Sequence, residues 1–96
     1  MLTLDDVLTL APGVVARESE GEQVVVLPEL GKFIVLNQTG AEVFQAIDGQ
    51  ASLRAIAATL SERHSVPLAQ VESDVLVFAG ELHKRGAAHP FEPGSD

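Results

Sequence analysis

The chain has 96 residues and no cysteine, and its 14 acidic and 6 basic residues give a formal charge of −8. A chain of this length folds as one domain, and the lack of thiols excludes disulfides and thiolate metal sites. Hydrophobic residues make up 46% of the chain, too many for a disordered segment. They form no run of ~20 that would span a bilayer. Since the N-terminus lacks the basic region of a signal peptide, and negative charge disfavours nucleic acid, we expect a cytoplasmic protein that binds neither membrane nor nucleic acid.

The first eleven residues precede the main elements. Leu4, Val7, Leu8 and Ala11 have the spacing of a short helix of one or two turns. An extended arm explains the same residues equally well. The sequence therefore predicts an N-terminal arm or short helix over residues 1–11.

Three runs rich in β-branched residues come next and predict a small sheet. Val14–Glu18, Gln23–Leu27 and Lys32–Leu36 are separated by two short turns that contain glycine. Strands joined by such short turns pair antiparallel. A sheet of three strands is stable only when another layer packs on one face.

Helices that follow the strands supply this layer. Thr39 and Glu42 have the spacing of a capping box, and Gly49 suits the end of this first helix. Ser52 is a good N-cap for a second helix, which ends near His64. Both segments place apolar residues at i, i+3, i+4 and i+7, so each has a face that can pack on the sheet.

The third helix, from Pro67 to about Arg85, has more apolar surface than one core face needs. Leu76 and Val77 lie on opposite sides of its apolar stripe. Either the other two helices cover both flanks, or one flank lines a groove for a partner. After Gly86 the chain is expected to fray. The stripe itself consists of Val71, Val75, Phe78 and Leu82.

The third strand and Asp74 each have two interpretations. Lys32 is the only charged residue of Lys32–Leu36, so this strand, if it lies at an edge, can recruit an extended peptide. A covered edge or a central position is the alternative. Asp74 borders the apolar stripe and either pairs with Arg85 or a lysine, or presents a carboxylate beside a groove; its spacing favours the structural role.

Residues that would support catalysis are not grouped in the sequence. His64, His83 and His89 are scattered, and no zinc-protease motif, nucleophile elbow or phosphate-binding loop occurs. We therefore predict a protein that is not an enzyme and needs no metal or cofactor.

Four fragments together resemble one known family. They are Leu36-Asn-Gln-Thr-Gly-Ala41, Ile47-Asp-Gly49, Leu53 with Ile56 and Leu60, and Asp74-Val75 with Phe78, Leu82 and Gly86. In this order and at these intervals they resemble the PqqD family. Its members are small peptide chaperones of pyrroloquinoline quinone (PQQ) biosynthesis and of other pathways for ribosomally synthesised and post-translationally modified peptides (RiPPs). The resemblance covers roughly residues 13–88.

The resemblance implies an α+β, winged helix-turn-helix-like fold, a three-stranded antiparallel sheet followed by three helices, for a domain at residues 12–88. The composition of residues 89–96 predicts a flexible tail. It implies a RiPP recognition element that binds the leader peptide of a precursor as an additional strand and presents it to a radical S-adenosylmethionine (SAM) enzyme or a leader protease. Both a monomer and a dimer are compatible with an open edge strand.

The peptide-binding residues implied by the resemblance lie on the third strand and the third helix. Small residues at Ala79 and Ala87-Ala88 depart from the usual family pattern and are expected to widen the groove or loosen the helix end. The implied contacts are Lys32, Phe33, Ile34, Val35, Leu36, Val71, Asp74, Val75, Val77, Phe78, Glu81 and Arg85.

A winged-helix DNA-binding regulator is the alternative function. Such a domain needs a basic recognition helix that enters the major groove. The second helix offers only Arg54 and Arg63, and the third only Lys84 and Arg85 beside three acids. Charge therefore favours the peptide-binding adaptor.

Overall fold

The computed structural model describes residues 2–91. These residues form five strands, three helices and a short 3-10 turn at Pro28–Leu30. In chain order the strands and helices are β1 (Leu8–Leu10), β2 (Val15–Ser19), β3 (Glu22–Leu27), β4 (Lys32–Leu36), α1 (Gln38–Ala46), α2 (Leu53–His64), α3 (Leu68–Lys84) and β5 (Ala88–Pro90).

The main sheet is the predicted antiparallel meander. Its strand order is β2-β3-β4, so β3 is central and β4 lies at an edge. The alternative of a central position for the third strand is therefore wrong. Three helices follow the sheet in the chain, and the predicted α+β class and order of elements are confirmed.

The two faces of the main sheet differ in burial. Val25 and Leu27 of β3 are almost completely buried on the face that packs against the helices. Because Val25 pairs with Ile34, the side chain of Ile34 lies on this inner face. Phe33 and Val35 lie on the outer face, where they are 66% and 52% exposed.

Helix α1 begins two residues before the predicted position. The N-cap is Asn37, whose Oδ1 accepts a hydrogen bond from the Gly40 N–H at 2.7 Å. The predicted capping box of Thr39 and Glu42 is therefore wrong. The second helix begins as predicted, since Ser52 Oγ accepts from the Ala55 N–H at 3.1 Å.

The N-terminal segment is an extended arm and not a helix. Its strand β1 pairs antiparallel with β5 to form a second, two-stranded sheet. The carbonyls of Leu4 and Asp6 accept hydrogen bonds from the N–H groups of Arg54 and Leu53, at 2.8 and 2.9 Å. The arm thus supplies partners for N–H groups in the first turn of α2, which the helix itself leaves unpaired.

The prediction that the chain frays after Gly86 is wrong for the residues directly after α3. Ala87 and Ala88 are buried, and residues 88–90 form β5. The part of the predicted tail at residues 92–96 lies outside the described residues. Within residues 2–91, no helix has both the length and the hydropathy needed to cross a membrane.

Candidate functional site

Two depressions lie on the side of the molecule where the edge strand β4 and helix α3 are open, one beside β4 and one beside α3. We call the surface that includes both of them the β4–α3 groove. The first, of about 270 Å³, is lined by Leu27, Gly31, Lys32, Phe33, Ile34 and Arg85. The second, of about 390 Å³, is lined by Asn37, Thr39, Gly40, Asp74, Val77, Phe78 and Glu81.

These linings show how the strand and the helix run relative to each other. Lys32, the first residue of β4, shares a depression with Arg85, just past the end of α3. Asn37, which follows β4 directly, shares the other with Asp74, near the middle of α3. The first depression therefore lies at the start of β4, and the second lies just past its end.

The strand side of the groove offers hydrogen-bonding backbone. In an antiparallel pair, alternate residues of each strand direct their N–H and C=O groups away from the partner. Within residues 2–91, β3 is the only strand paired with β4, so the outward groups of β4 have no strand partner. The opposite edge strand, β2, carries Arg17 and Glu18, and charged side chains of this kind discourage pairing.

The helix side of the groove offers apolar surface. Leu76 packs against the core on one flank of α3, whereas Val77 on the other flank is 67% exposed. The other helices therefore do not cover both flanks of α3, and the flank that carries Val77 is open. Phe78 is partly buried beside Val77 and contributes its ring to the second depression.

Gly40 allows α1 to approach this ring closely. A Cβ atom at position 40 would lie 2.9 Å from Cε1 of Phe78 and 3.2 Å from Oδ1 of Asn37. The first distance is shorter than a carbon–carbon contact permits. A side chain at this position would therefore displace the Phe78 ring.

The charged residues of the groove are only partly compensated. Arg85 Nε donates to Glu81 Oε2 at 3.4 Å, one helical turn apart. Asp74 does not pair with Arg85, and among the described side chains neither Asp74 nor Lys32 has an ion-pair partner. The structural role that spacing favoured for Asp74, pairing with Arg85 or a lysine, is therefore absent from residues 2–91.

The structure brings most of the predicted contact residues to the groove, but not all of them. Leu36, Val71 and Val75 are buried in the core and support the groove from beneath. Val35 points to the outer face of the sheet, and Phe33 borders the first depression from that face. Those that line the two depressions are Lys32, Phe33, Ile34, Asp74, Val77, Phe78, Glu81 and Arg85.

Sequence reasoning missed the contribution of the start of α1. Asn37, Thr39 and Gly40 form one wall of the second depression. The available signal was the position of Asn37, an N-cap residue type placed directly after the edge strand. An N-cap there turns the chain away from β4 and toward α3.

The chemistry of the groove suits binding. One side supplies main-chain donors and acceptors and the other supplies apolar side chains, the combination that holds an extended peptide. Across the residues that the structure describes, no group of three or more His, Asp or Glu side chains is placed to hold a metal ion.

Comparison with known proteins places the chain in a family. The family described as coenzyme PQQ synthesis protein D (PqqD) matches residues 22–87. The chain belongs to the PqqD family. A relative from Rhizobium meliloti (strain 1021), described as a PqqA binding protein, is 32% identical over 81 residues, which cover 82% of this chain and 81% of the relative.

Solved structures show the same fold. The PqqD truncation of Methylobacterium extorquens PqqCD, described as a functional, stand-alone RiPP recognition element, has a TM-score of 0.81 at 24% identity, covering 93% of this chain and 95% of its own. Lasso peptide synthetase B1, complexed with the leader peptide, has a TM-score of 0.77 at 23% identity, covering 86% and 98%. TbiB1, in complex with the TbiA(β) leader peptide, has a TM-score of 0.73 at 20% identity, covering 91% and 98%.

Proposed function

We propose that this PqqD-family protein is a non-catalytic adaptor that binds the leader segment of a ribosomally synthesised precursor peptide. The observation that carries the proposal is the edge strand β4 beside the open apolar flank of α3. The Rhizobium relative is described as a PqqA binding protein, and two similar folds are complexes with leader peptides. These descriptions support the same class of ligand here.

The leader binds in the β4–α3 groove as an additional strand. Hydrogen bonds to the outward groups of β4 supply affinity that depends little on sequence. Ile34, Val77 and Phe78 contact the leader side chains that face the groove and supply selectivity. The outer face of the sheet remains open, so the bound leader is accessible to the partner, a radical SAM enzyme or a leader protease.

The adaptor is a binding protein without an active site of its own. The Rhizobium relative is described as a binding protein and the PqqCD truncation as a recognition element, which supports this role. The protein acts in the cytoplasm, where precursor peptides are made, and brings the leader to the enzyme that modifies the rest of the peptide.

Ion pairs on α2 argue against the alternative of DNA binding. Arg54 lies 3.2 Å from Asp5 and 3.8 Å from Glu72, and Arg63 lies 3.4 Å from Glu42. Both cations of this helix are thus partly compensated within the protein. A net charge of −8 also repels the phosphate backbone.

A titration tests the proposal. Fluorescently labelled leader peptides from precursors encoded beside this gene are titrated with the purified protein, with duplex DNA as the comparison ligand. We expect one leader to bind with a Kd of about 1 μM or less, near −8 kcal/mol. Failure of every leader to bind would contradict the proposal, and salt-sensitive binding of the DNA would support the regulator instead.

Substitutions then locate the binding site. Of two successive residues in β4, one points its N–H away from β3. One of the two variants Ile34→Pro and Val35→Pro therefore removes an N–H that does not pair with β3, and the hydrogen bonds between β3 and β4 are kept. We expect that variant, and Asp74→Lys, to lose at least about tenfold in affinity while remaining folded.

Proline on the opposite edge is the matched control. Val15 and Ala16 are successive residues of β2, so one of them points its N–H away from β3. We expect the proline variant at that residue to bind the leader as the wild type does. Wild-type affinity in Asp74→Lys and in both β4 variants would show that the leader binds elsewhere.

A further inference from the structure

The two ends of the β4–α3 groove carry opposite charge. Lys32 and Arg85 line the first depression, and Asp74 and Glu81 line the second. Arg85 and Glu81 pair with each other, and both side chains are about half exposed. Among the side chains that the structure describes, Lys32 and Asp74 have no ion-pair partner, so their charges are the ones that an incoming ligand meets at the two ends.

The direction of β4 orders these charges. The strand begins at Lys32 and ends next to Asn37, which shares the second depression with Asp74. Both pairings within the main sheet are antiparallel. A further strand that continues this alternation runs from the Asp74 end to the Lys32 end, and antiparallel pairing is slightly more stable per residue than parallel pairing.

Apolar side chains accompany the charges in both depressions. Ile34, on the inner face of β4, lines the first depression with Lys32, and Val77 and Phe78, on the open flank of α3, line the second with Asp74. A strand advances about 3.4 Å per residue, so a peptide matched to the five residues of β4 spans ~14 Å from its first to its last contact.

We propose that the groove selects a leader segment by the order of its charges: a lysine or arginine first, about three mainly apolar residues, and then an aspartate or glutamate. The inference rests on the proposed function, because it specifies which peptide the same groove binds. In this order the basic residue meets Asp74 and the acidic residue meets Lys32. In the reverse order, like charges meet at both ends.

Synthetic peptides test this charge order. Three labelled peptides of 12 residues share one apolar, β-prone centre and differ only in the flanking residues: lysine then aspartate, aspartate then lysine, or glutamine at both positions. We expect the wild-type protein to bind the lysine-first peptide about tenfold more tightly than the aspartate-first peptide at low salt, and the glutamine peptide with intermediate affinity.

A charge-swapped protein makes the test specific. The double variant Lys32→Glu/Asp74→Lys keeps the net charge and should reverse the preference between the two charged peptides. The control Arg17→Glu/Glu62→Lys exchanges charges on β2 and α2, away from the groove, and should keep the wild-type preference. Thermal unfolding of each variant confirms that it is folded.

Two results would overturn the charge order: equal affinity for the two charged peptides, or tighter binding of the aspartate-first peptide by the wild-type protein. A preference that the double variant does not reverse would overturn the roles of Lys32 and Asp74. Candidate leaders titrated in parallel separate this inference from the proposed function. If a leader binds but the synthetic peptides do not bind or show no preference, only the charge order is wrong; if no leader binds, the proposed function fails.

Discussion

At the scale of single residues, Glu42 forms tertiary ion pairs with α2 instead of the predicted capping box. Its carboxylate lies 2.6 Å from His64 Nε2 and 3.4 Å from an Arg63 guanidinium nitrogen, so it joins α1 to the last turn of α2. The hydrogen bond with His64 is the main cause that lowers the pKa of Glu42 below its ordinary value of 4.5. Burial opposes this shift, and Arg63 adds to it.

The lowered pKa of Glu42 predicts a dependence of stability on pH. A carboxyl with a lower pKa in the folded state stabilises the protein above its unfolded pKa, here about 4.5, and this contribution is lost as pH falls through the folded pKa. We expect Glu42→Gln to be less stable than the wild type at pH 7, and the difference to shrink as the pH falls below the ordinary pKa of the carboxyl, about 4.5. Urea unfolding at several pH values measures it.

Glu62 provides the control for this measurement. It is exposed on the same helix as His64, and no ion pair is recorded for it among the described side chains. Glu62→Gln should therefore change stability little at any pH. A difference between the wild type and Glu42→Gln that stays constant as pH falls would contradict the assigned role of Glu42.

At the scale of elements, the pairing of β1 with β5 joins the two ends of the described chain. Leu8 of β1 is 1% exposed and belongs to the hydrophobic core. The Phe91 N–H donates to the Val7 carbonyl, and the Ala11 N–H donates to the Ala87 carbonyl. The arm is therefore packed as part of the fold, and it also holds the segment that follows α3.

Truncation of Leu8 should consequently be costly. Leu8→Ala removes buried methyl groups and leaves a cavity, so we expect it to lower the free energy of unfolding by about 2–5 kcal/mol. Thr9→Ala, at the next position of the same strand, removes the 3.4 Å hydrogen bond from Thr9 Oγ1 to the His89 carbonyl but leaves no core cavity, so it should lower the free energy of unfolding by no more than about 1.5 kcal/mol. Urea unfolding compares the two variants, and equal stabilities would show that the arm does not support the core.

At the scale of the whole molecule, the excess of acidic residues surrounds a groove whose own charges are nearly balanced. The net charge is −8, whereas the groove contains two basic and two acidic side chains. Long-range attraction therefore favours any basic ligand, and local charges then select its register. The two effects differ in their response to salt, because distant exposed charges are screened first.

This difference predicts how association depends on salt. A bound leader lengthened by two lysines outside the groove should associate faster than the same leader lengthened by two glutamates. The ratio of the two association rate constants should fall toward one as the ionic strength rises to about 0.5 M, and the dissociation rate constants should change little. Stopped-flow fluorescence measures both rates. An advantage that persists at high salt would indicate a direct contact with the added lysines.

The sequence alone determined the local structure of this protein. Runs rich in β-branched residues between short turns, and apolar residues three and four apart, specify strands and helices through neighbours in the chain. The sequence therefore predicts β2, β3, β4, α2 and α3 within one or two residues of their bounds in the structure. The family resemblance, which also depends on short fragments at set intervals, was sufficient for the fold class. It also indicated the strand and the helix that form the groove.

Tertiary structure alone decided which surfaces are open and which residues pair. Whether β4 is an edge, whether Val77 or Leu76 is exposed, and whether β1 finds β5 all depend on contacts between residues far apart in the chain. Glu42 has the local pattern of a capping residue, yet Asn37 caps α1 and Glu42 pairs with α2. Propensity and periodicity act over one or two turns of chain, whereas burial depends on what packs against a surface from elsewhere in the molecule.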